Sequence, residues 1–338
     1  MGELAQIERI RSGWGGRGGR GLTLGIGDDC AILRPPAGHE VLVTTDFSLE
    51  GRHFRRDWHP PESAGHRALA RGLSDLAAMG ARPLAAFLSL ALPGDSMATR
   101  AGRQWVERFF AGLHALAGEH EVPLAGGDTS ESPCGLVLAD IVLVGSAPAG
   151  CALRRSGGRA GDALYVSGAL GGSAAELVEL ERRGTQKLRG IGQADAGTAG
   201  KHPQLYPQPR IALGQALLRR RLASAAIDLS DGLSTDLGHL CHESGVGAEV
   251  LEAALPIHPL AAAHPERALA LALNGGEDYE LLFAASPSIK VPRSLAGIAI
   301  TRIGKLVRGA GMTLIDTAGR RCPLKPAGWE HFAASSSR

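Results

Sequence analysis

The sequence predicts an α/β (α+β) protein of two domains, an N-terminal domain of mixed sheet and helices over residues 1–150 and a C-terminal α/β domain over residues 151–338. Three observations carry this prediction. The chain has 338 residues, 44% hydrophobic and 21% charged, which is enough apolar material for two cores. Strand-like and helix-like stretches alternate along its length. In both halves, short apolar runs end in glycine-flanked aspartates.

From the amino end, "LGIGDDCAIL" (Leu24 to Leu33) sets Asp28 and Asp29 side by side before an apolar run. Ala31 to Leu33 and Val41 to Thr45 read as two short strands joined by a Pro-Pro-Ala-Gly turn. As an antiparallel hairpin they would bring Asp28 and Asp29 against Asp46. "PESAGHRALARGLSDLAAMG" has the period of an amphipathic helix and carries Asp75, "PLAAFLSLALP" follows as a strand, and a second helix covers about Ala98 to Glu119. "VPLAGGDTSE" repeats the opening pattern, an apolar run ending in glycines and then Asp128, ahead of the strand-like "GLVLADIVLVGSA".

The stretch "PAGCALRRSGGRAGD" reads as the domain junction. Beyond it come the strand "ALYVSG", the helical "SAAELVELERR", a Gly- and Gln-rich segment from Gly184 to Gly200 that reads as a mobile loop, and a helix near Ile211 to Arg221. "AAIDLSDGLSTDLGHLCHESG" gives strand, acidic loop and helix, and "LALNGGEDYELLFAAS" gives helix end, glycine turn and strand.

Composition narrows the function classes. Lysine and arginine number 36 against 34 acids, a formal charge of +2, so neither nucleic acid nor a membrane surface is the expected partner. Five scattered cysteines show no metal spacing, and no apolar run approaches the roughly 18 residues of a membrane span. The expectation is a reduced, cytoplasmic protein. There is no G-x-x-x-x-G-K-[ST] loop, no kinase catalytic-loop signature and no complete dinucleotide fingerprint.

What remains is a dispersed set of aspartates, Asp28, Asp29, Asp46, Asp75, Asp128, Asp228 and Asp231, most of them in glycine-flanked turns. Magnesium takes oxygen ligands and commonly only one or two carboxylates plus substrate phosphates, so several ions and a polyphosphate would use such a set. Turn aspartates also arise for backbone hydrogen bonding alone, which explains any one of these residues better than it explains "GDD", "TTD", "AGGD" and "DLSDG" together. "SGALGG" (Ser167 to Gly172) reads as a plain strand-to-helix turn in preference to an anion cradle at a helix N-terminus. His239 and His242 lack a partnering ligand set and read as surface or core residues; His53, close after Asp46, is the exception. Arg154 and Arg155 read as a solvated patch or, from their place at the domain junction, as a seat for a phosphate.

Taken in order, "GIGDDCAIL", "TTDFSLEGRHF", "LSDLAAMGARP", "AGGDTS", "RRSGGRAGD", "IDLSDGLSTDL" and "NGGEDYELLF" resemble the thiamine-monophosphate kinases, a family of the aminoimidazole ribonucleotide synthetase-like superfamily. The resemblance spans nearly the whole chain, from "GELAQIERI" to "GWEHF". It implies a two-domain fold whose N-terminal sheet forms a homodimer interface, with ATP as co-substrate. By motif, Asp28, Asp29, Thr44, Thr45, Asp46, Asp75, Asp128, Asp228 and Asp231 match or adjoin magnesium positions. Gly127, Asp128, Arg155 and Ser230 match ATP contacts, and His53, Glu277 and Trp329 match contacts to the thiamine portion. The departures are Trp329 where tyrosine also occurs, the glycine-rich Gly15 to Gly21, the Gly184 to Gly200 segment, and "HPQLYP" where a more basic stretch is usual.

The implied reaction needs no side-chain acid or base. A phosphate monoester with a second pKa of about 6 is largely ionised at neutral pH and is itself the nucleophile, so the obstacle is repulsion between phosphates and the remedy is cations. Two other readings stand beside this one. One is an ATP-dependent superfamily member acting on an amidine or a selenide; the other is a nucleotide- or calcium-binding dimer without turnover. For Trp329 the alternative is an aromatic that pins the tail.

Overall fold

The structure is a computed structural model and describes Glu8, Ile10, Ser12 and residues 21–183 and 201–329. The Gly184 to Gly200 segment, and Gly15 to Gly21 apart from its last residue, lie outside the described residues. Two compact units divide the chain, Met1–Ala152 with Leu180–Ile211, and Leu153–Glu179 with Ala212–Arg338.

In the first unit, β1 (Leu22–Leu24) pairs antiparallel with β2 (Ile32–Leu33). A four-stranded mixed sheet follows, in the order β3 (His39–Leu49), β6 (Leu138–Pro148), β4 (Arg82–Leu92), β5 (Leu124–Glu131). The expected hairpin is therefore not formed. β2 is too short to hold β3, and β3 spends all eleven of its residues on β6, from His39 opposite Pro148 to Leu49 opposite Leu138. β5 does not end at its glycines either; it runs through Gly126, Gly127 and Asp128 to Glu131 as a sheet edge, where interior glycines are tolerated.

Alternation along β3 sorts its residues by face. Leu42 and Ser48 are buried and Thr44 and Asp46 half-buried on the side of α1 (Pro61–Ala78). Val41, Val43 and Phe47 point the other way and are 50%, 65% and 61% exposed. Thr45 shares that outer face, where its hydroxyl donates to Asp140 Oδ1 at 2.7 Å.

The helix α1 starts with Pro61 in its first turn, where a missing N–H costs nothing. It is buried almost all round, which departs from the amphipathic expectation. Its polar residues face main chain: Ser63 Oγ donates to the Leu205 carbonyl at 2.7 Å, His66 Nε2 meets the Pro207 carbonyl at 2.7 Å, and Arg67 donates to the carbonyls of Gln204 and, at 2.9 Å, His53. Against α2 (Arg100–Glu119) the two backbones touch. A Cβ on Gly65 would lie 1.9 Å from the Phe109 carbonyl oxygen, and one on Gly112 would lie 1.9 Å from that of Glu62. A two-pronged Arg108–Glu62 ion pair, at 2.6 and 2.8 Å, flanks the crossing.

In the second unit the sheet runs β14 (Arg321–Leu324), β13 (Met312–Ile315), β9 (Gly247–Leu251), β12 (Ile298–Val307), β7 (Ala163–Ser167), β10 (Leu281–Ala285), β8 (Ala225–Asp228), with β11 (Ser294–Leu295) on β12. Every residue of β8 and β10 is buried. The helices are α3 (Gly172–Arg183), α4 (Ile211–Arg219), α5 (Leu233–Ser244), the short α6 (Pro259–Ala262) and α7 (Ala268–Asn274). Leu237 and Leu240 of α5 join Val166, Ile227, Val250 and Leu282 of the sheet in one core.

Candidate functional site

The aspartates of the first unit fall into two groups. At the β5 edge, Asp28, Asp29, Gly127 and Asp128 line a cavity of about 780 Å³ together with Phe87 and Phe110. All three carboxylates are exposed, so water screens their mutual repulsion. The Asp29 N–H donates to Asp28 Oδ1 at 2.9 Å. Among the described residues, no lysine or arginine forms an ion pair with any of the three. Gly127 has φ +147°, and a Cβ there would lie 1.9 Å from the Leu88 carbonyl oxygen. Only glycine lets the strand run this close beneath Asp128.

At the β3 edge, Thr44 donates to Asp75 of α1, and Arg71, one turn earlier on the helix, pairs with Asp46 at 3.2 Å. Thr44 and Thr45 are neighbours in sequence but serve opposite faces, because strand side chains alternate. His53 follows in the loop after β3; its Nδ1 accepts the Leu49 N–H at 2.9 Å, and its carbonyl accepts from the buried Arg67. Asp46 stands in one row with Ile141, Leu88 and Gly127. Three strand spacings put it about 14 Å from the β5 edge. The expectation that Asp28 and Asp29 meet Asp46 within one chain fails with the hairpin that carried it.

The second unit gathers its residues at one place. Asp228 ends β8 and is buried, and Ser230 and Asp231 form the turn into α5. Glu277 donates its N–H to the Ser230 carbonyl at 2.8 Å, Tyr279 donates to Leu229 at 2.9 Å, and Trp329 donates to the Asp231 carbonyl at 3.0 Å. Main-chain bonds thus tie "DLSDG", "GGEDYE" and the "GW" segment to each other. Glu277 and Tyr279 sit in the left-handed region, at φ +65° and +50°, which costs a residue with a Cβ about 1–2 kcal/mol. Between them Asp278 is half-buried and accepts from the N–H groups of Gly171, at 2.6 Å, and Ser173, at 3.2 Å. Burial pushes its carboxyl up to about 7. The Trp329 side of the tail is pinned by its backbone, while the residue stays 43% exposed.

Arg155 is not gathered with these residues. Its carbonyl accepts from Ser244 Oγ at 2.8 Å, and Ser244 ends α5 about 16 Å along the helix from its start beside Asp231.

Several residues here escaped the sequence reading. Arg71 and Asp140 lie far in sequence from the residues they pair with. Asp236 receives three N–H groups of the acidic turn, and burial, followed by the charges of Asp228 and Asp231, pushes its carboxyl up to about 8. His239, set aside for want of partners, has Asp231 and Asp236 beside it, with one ligand atom from each of the three lying within 4.8 Å of the others. The i, i+3 spacing of Asp236 and His239 on a helix was a readable signal.

Comparison with known proteins places the chain by sequence and by fold. Residues 27–147 match the family described as AIR synthase related protein, N-terminal domain, and residues 159–316 match its C-terminal domain. The thiamine-monophosphate kinase of Escherichia coli is 40% identical over 318 residues, 92% of this chain and 93% of that protein. The crystal structure of thiamine-monophosphate kinase from Stenotrophomonas maltophilia superposes with a TM-score of 0.77 at 36% identity, covering 95% of this chain and 98% of that one. A structure described as AaThiL complexed with AMPPCP and TMP gives 0.74 at 29% identity, covering 98% and 97%.

Proposed function

Because the chain belongs to the AIR synthase related family, and within it to the thiamine-monophosphate kinases, we propose from its geometry how its residues carry the family's reaction. The chain is an enzyme that phosphorylates thiamine monophosphate with ATP, giving thiamine diphosphate and ADP. The observation that carries this is the 40% identity over 92% of the chain, joined to site motifs that are all present.

In the transfer, an oxygen of the acceptor phosphate forms the new bond to the γ-phosphorus as the bond to the bridging oxygen of ADP breaks. The acceptor is already ionised, so no residue need take its proton. Magnesium, when bound, offsets the charge of the phosphates. The exposed carboxylates Asp28, Asp29 and Asp128 suit it as a hard, oxygen-only set without basic partners among the described residues. Asp46, Asp75, Thr44, Thr45, Asp228 and Asp231 are further ligands on this reading. Gly127 brings the main chain up to the nucleotide, Ser230 and Arg155 contact ATP, and His53, Glu277 and Trp329 hold the thiamine portion.

The protein works as a homodimer on the same reading. The outer face of the four-stranded sheet leaves Val41, Val43 and Phe47 exposed, a concentration of apolar surface that calls for cover. A second copy laid on it about a two-fold axis along the strands would bring the β3 edge of one copy to the β5 edge of the other. Asp46, on the α1 side of its sheet, and Asp128, on the outer face of the other copy's sheet, would then lie at one edge of the dimer, with metal ions and the polyphosphate between them and no direct contact.

The direct test is purified protein with ATP, magnesium chloride and thiamine monophosphate, followed by chromatography. Thiamine diphosphate and ADP should appear in equal amounts. ADP without thiamine diphosphate, or neither, would reject the assignment.

A further inference from the structure

We infer that Asp236 is a positioning residue that fixes the Ser230–Gly232 turn in the form its ligands require. Its Oδ2 accepts the N–H groups of three consecutive residues, Ser230, Asp231 and Gly232, each at 3.1 Å. The side chain is 2% exposed and lies in the first turn of α5.

The peptide groups of the turn are then fully used. Ser230 donates its N–H to Asp236 while its carbonyl accepts from Glu277; Asp231 donates its N–H to Asp236 while its carbonyl accepts from Trp329. Convergent N–H groups before a helix ordinarily form an anion-binding concavity. Here the chain's own carboxylate fills it. A phosphate cannot take those donors, so the turn meets its ligands through the Ser230 and Asp231 side chains, and Asp236 decides where those side chains stand. Removing it takes the partner from three donors, that of Gly232 buried and those of Ser230 and Asp231 half-buried, and the turn must rearrange to satisfy them.

The inference rests on the proposed nucleotide and metal roles of Ser230 and Asp231. Second-layer carboxylates that orient metal ligands are worth about 10- to 100-fold in metal affinity or activity. Asp236→Ala should therefore raise the magnesium concentration for half-maximal turnover by about tenfold or more. It should raise KM for ATP as well. Asp236→Asn keeps one acceptor oxygen and should fall between Asp236→Ala and wild type. A merely structural role would lower the melting temperature of both variants and leave the magnesium requirement unchanged, which overturns the inference. Should Asp236→Ala fail to fold, the magnesium titration of Asp236→Asn decides by the same criterion. Asp231→Asn separates the two levels. A raised magnesium requirement there with none in the Asp236 variants sinks only the positioning role, whereas none in Asp231→Asn sinks the ligand assignment and this inference with it.

Discussion

The two units handle acidic residues in opposite ways. In the second, Asp228, Ser230, Asp231, Glu277 and Trp329 are drawn together by main-chain hydrogen bonds within one chain. In the first, Asp128 and Asp46 stand on opposite edges of a four-stranded sheet, about 14 Å apart. A site made by local turns is complete when its unit folds. One distributed over two sheet edges needs another body to complete it.

The comparison breaks most sharply by mixing variants. Asp46→Asn and Asp128→Asn should each lose on the order of 10³-fold in kcat, since a metal ligand at the transferred phosphate is worth several kcal/mol. Refolded together in equal amounts, the two should recover about a quarter of wild-type activity, because half the dimers then carry one intact site. No recovery from well-folded mixed dimers would confine each site to one chain.

Next in size is the response to acid. Burial holds His66 down to about 4, with its ring against the Pro207 carbonyl. The unfolded chain binds that proton near pH 6.5 and the fold resists it, so stability present above pH 6.5 is lost as pH falls toward 4, on the order of 3 kcal/mol. Asp278 in the second unit has the reverse sign. Its raised value favours the fold at low pH, and that contribution fades as pH rises from the ordinary carboxylate range through about 7. Amide exchange should show β3 and β6 losing protection between pH 6.5 and 4 while β7 and β10 do not. His66→Gln should flatten the slope in the first unit; an unchanged slope would move the acid sensitivity elsewhere.

Phe47→Asp tests the cover over the outer face. Sedimentation should find self-association weakened by about tenfold or more, with activity falling in step on dilution. A dimer of wild-type strength would remove Phe47 from the interface. The smallest effect is that of Trp329→Ala. An aromatic face near the cationic thiazolium contributes on the order of 0.5–2 kcal/mol, so KM for thiamine monophosphate should rise roughly 2- to 30-fold while kcat and KM for ATP stay put. A rise confined to KM for ATP would misplace the pocket.

The sequence was most readable where structure is local. "DLSDG" before a helix and "GGEDYE" before a strand were recognised because turn, helix and strand follow within a few residues. The helix bearing Asp75 was recognised from its period. Its near-complete burial was not, since Ser63, His66 and Arg67 owe their partners to main chain about 140 residues away. The hairpin failed for the same reason: a Pro-Pro-Ala-Gly turn looks local, but β3 finds its partner about 100 residues on, at β6. His239 was set aside because a search for other histidines and cysteines overlooks carboxylates three and eight positions earlier.

The left-handed backbone at Glu277 separates durability from use. Glycine would sit there without strain, so Glu277→Gly should relax the loop, offsetting part of the stability that a glycine's freedom in the unfolded chain takes away. The same change would delete the carboxylate proposed to hold the thiamine portion. A screen for heat resistance alone would thus tend to accept at this position the substitution that a screen for thiamine diphosphate would discard.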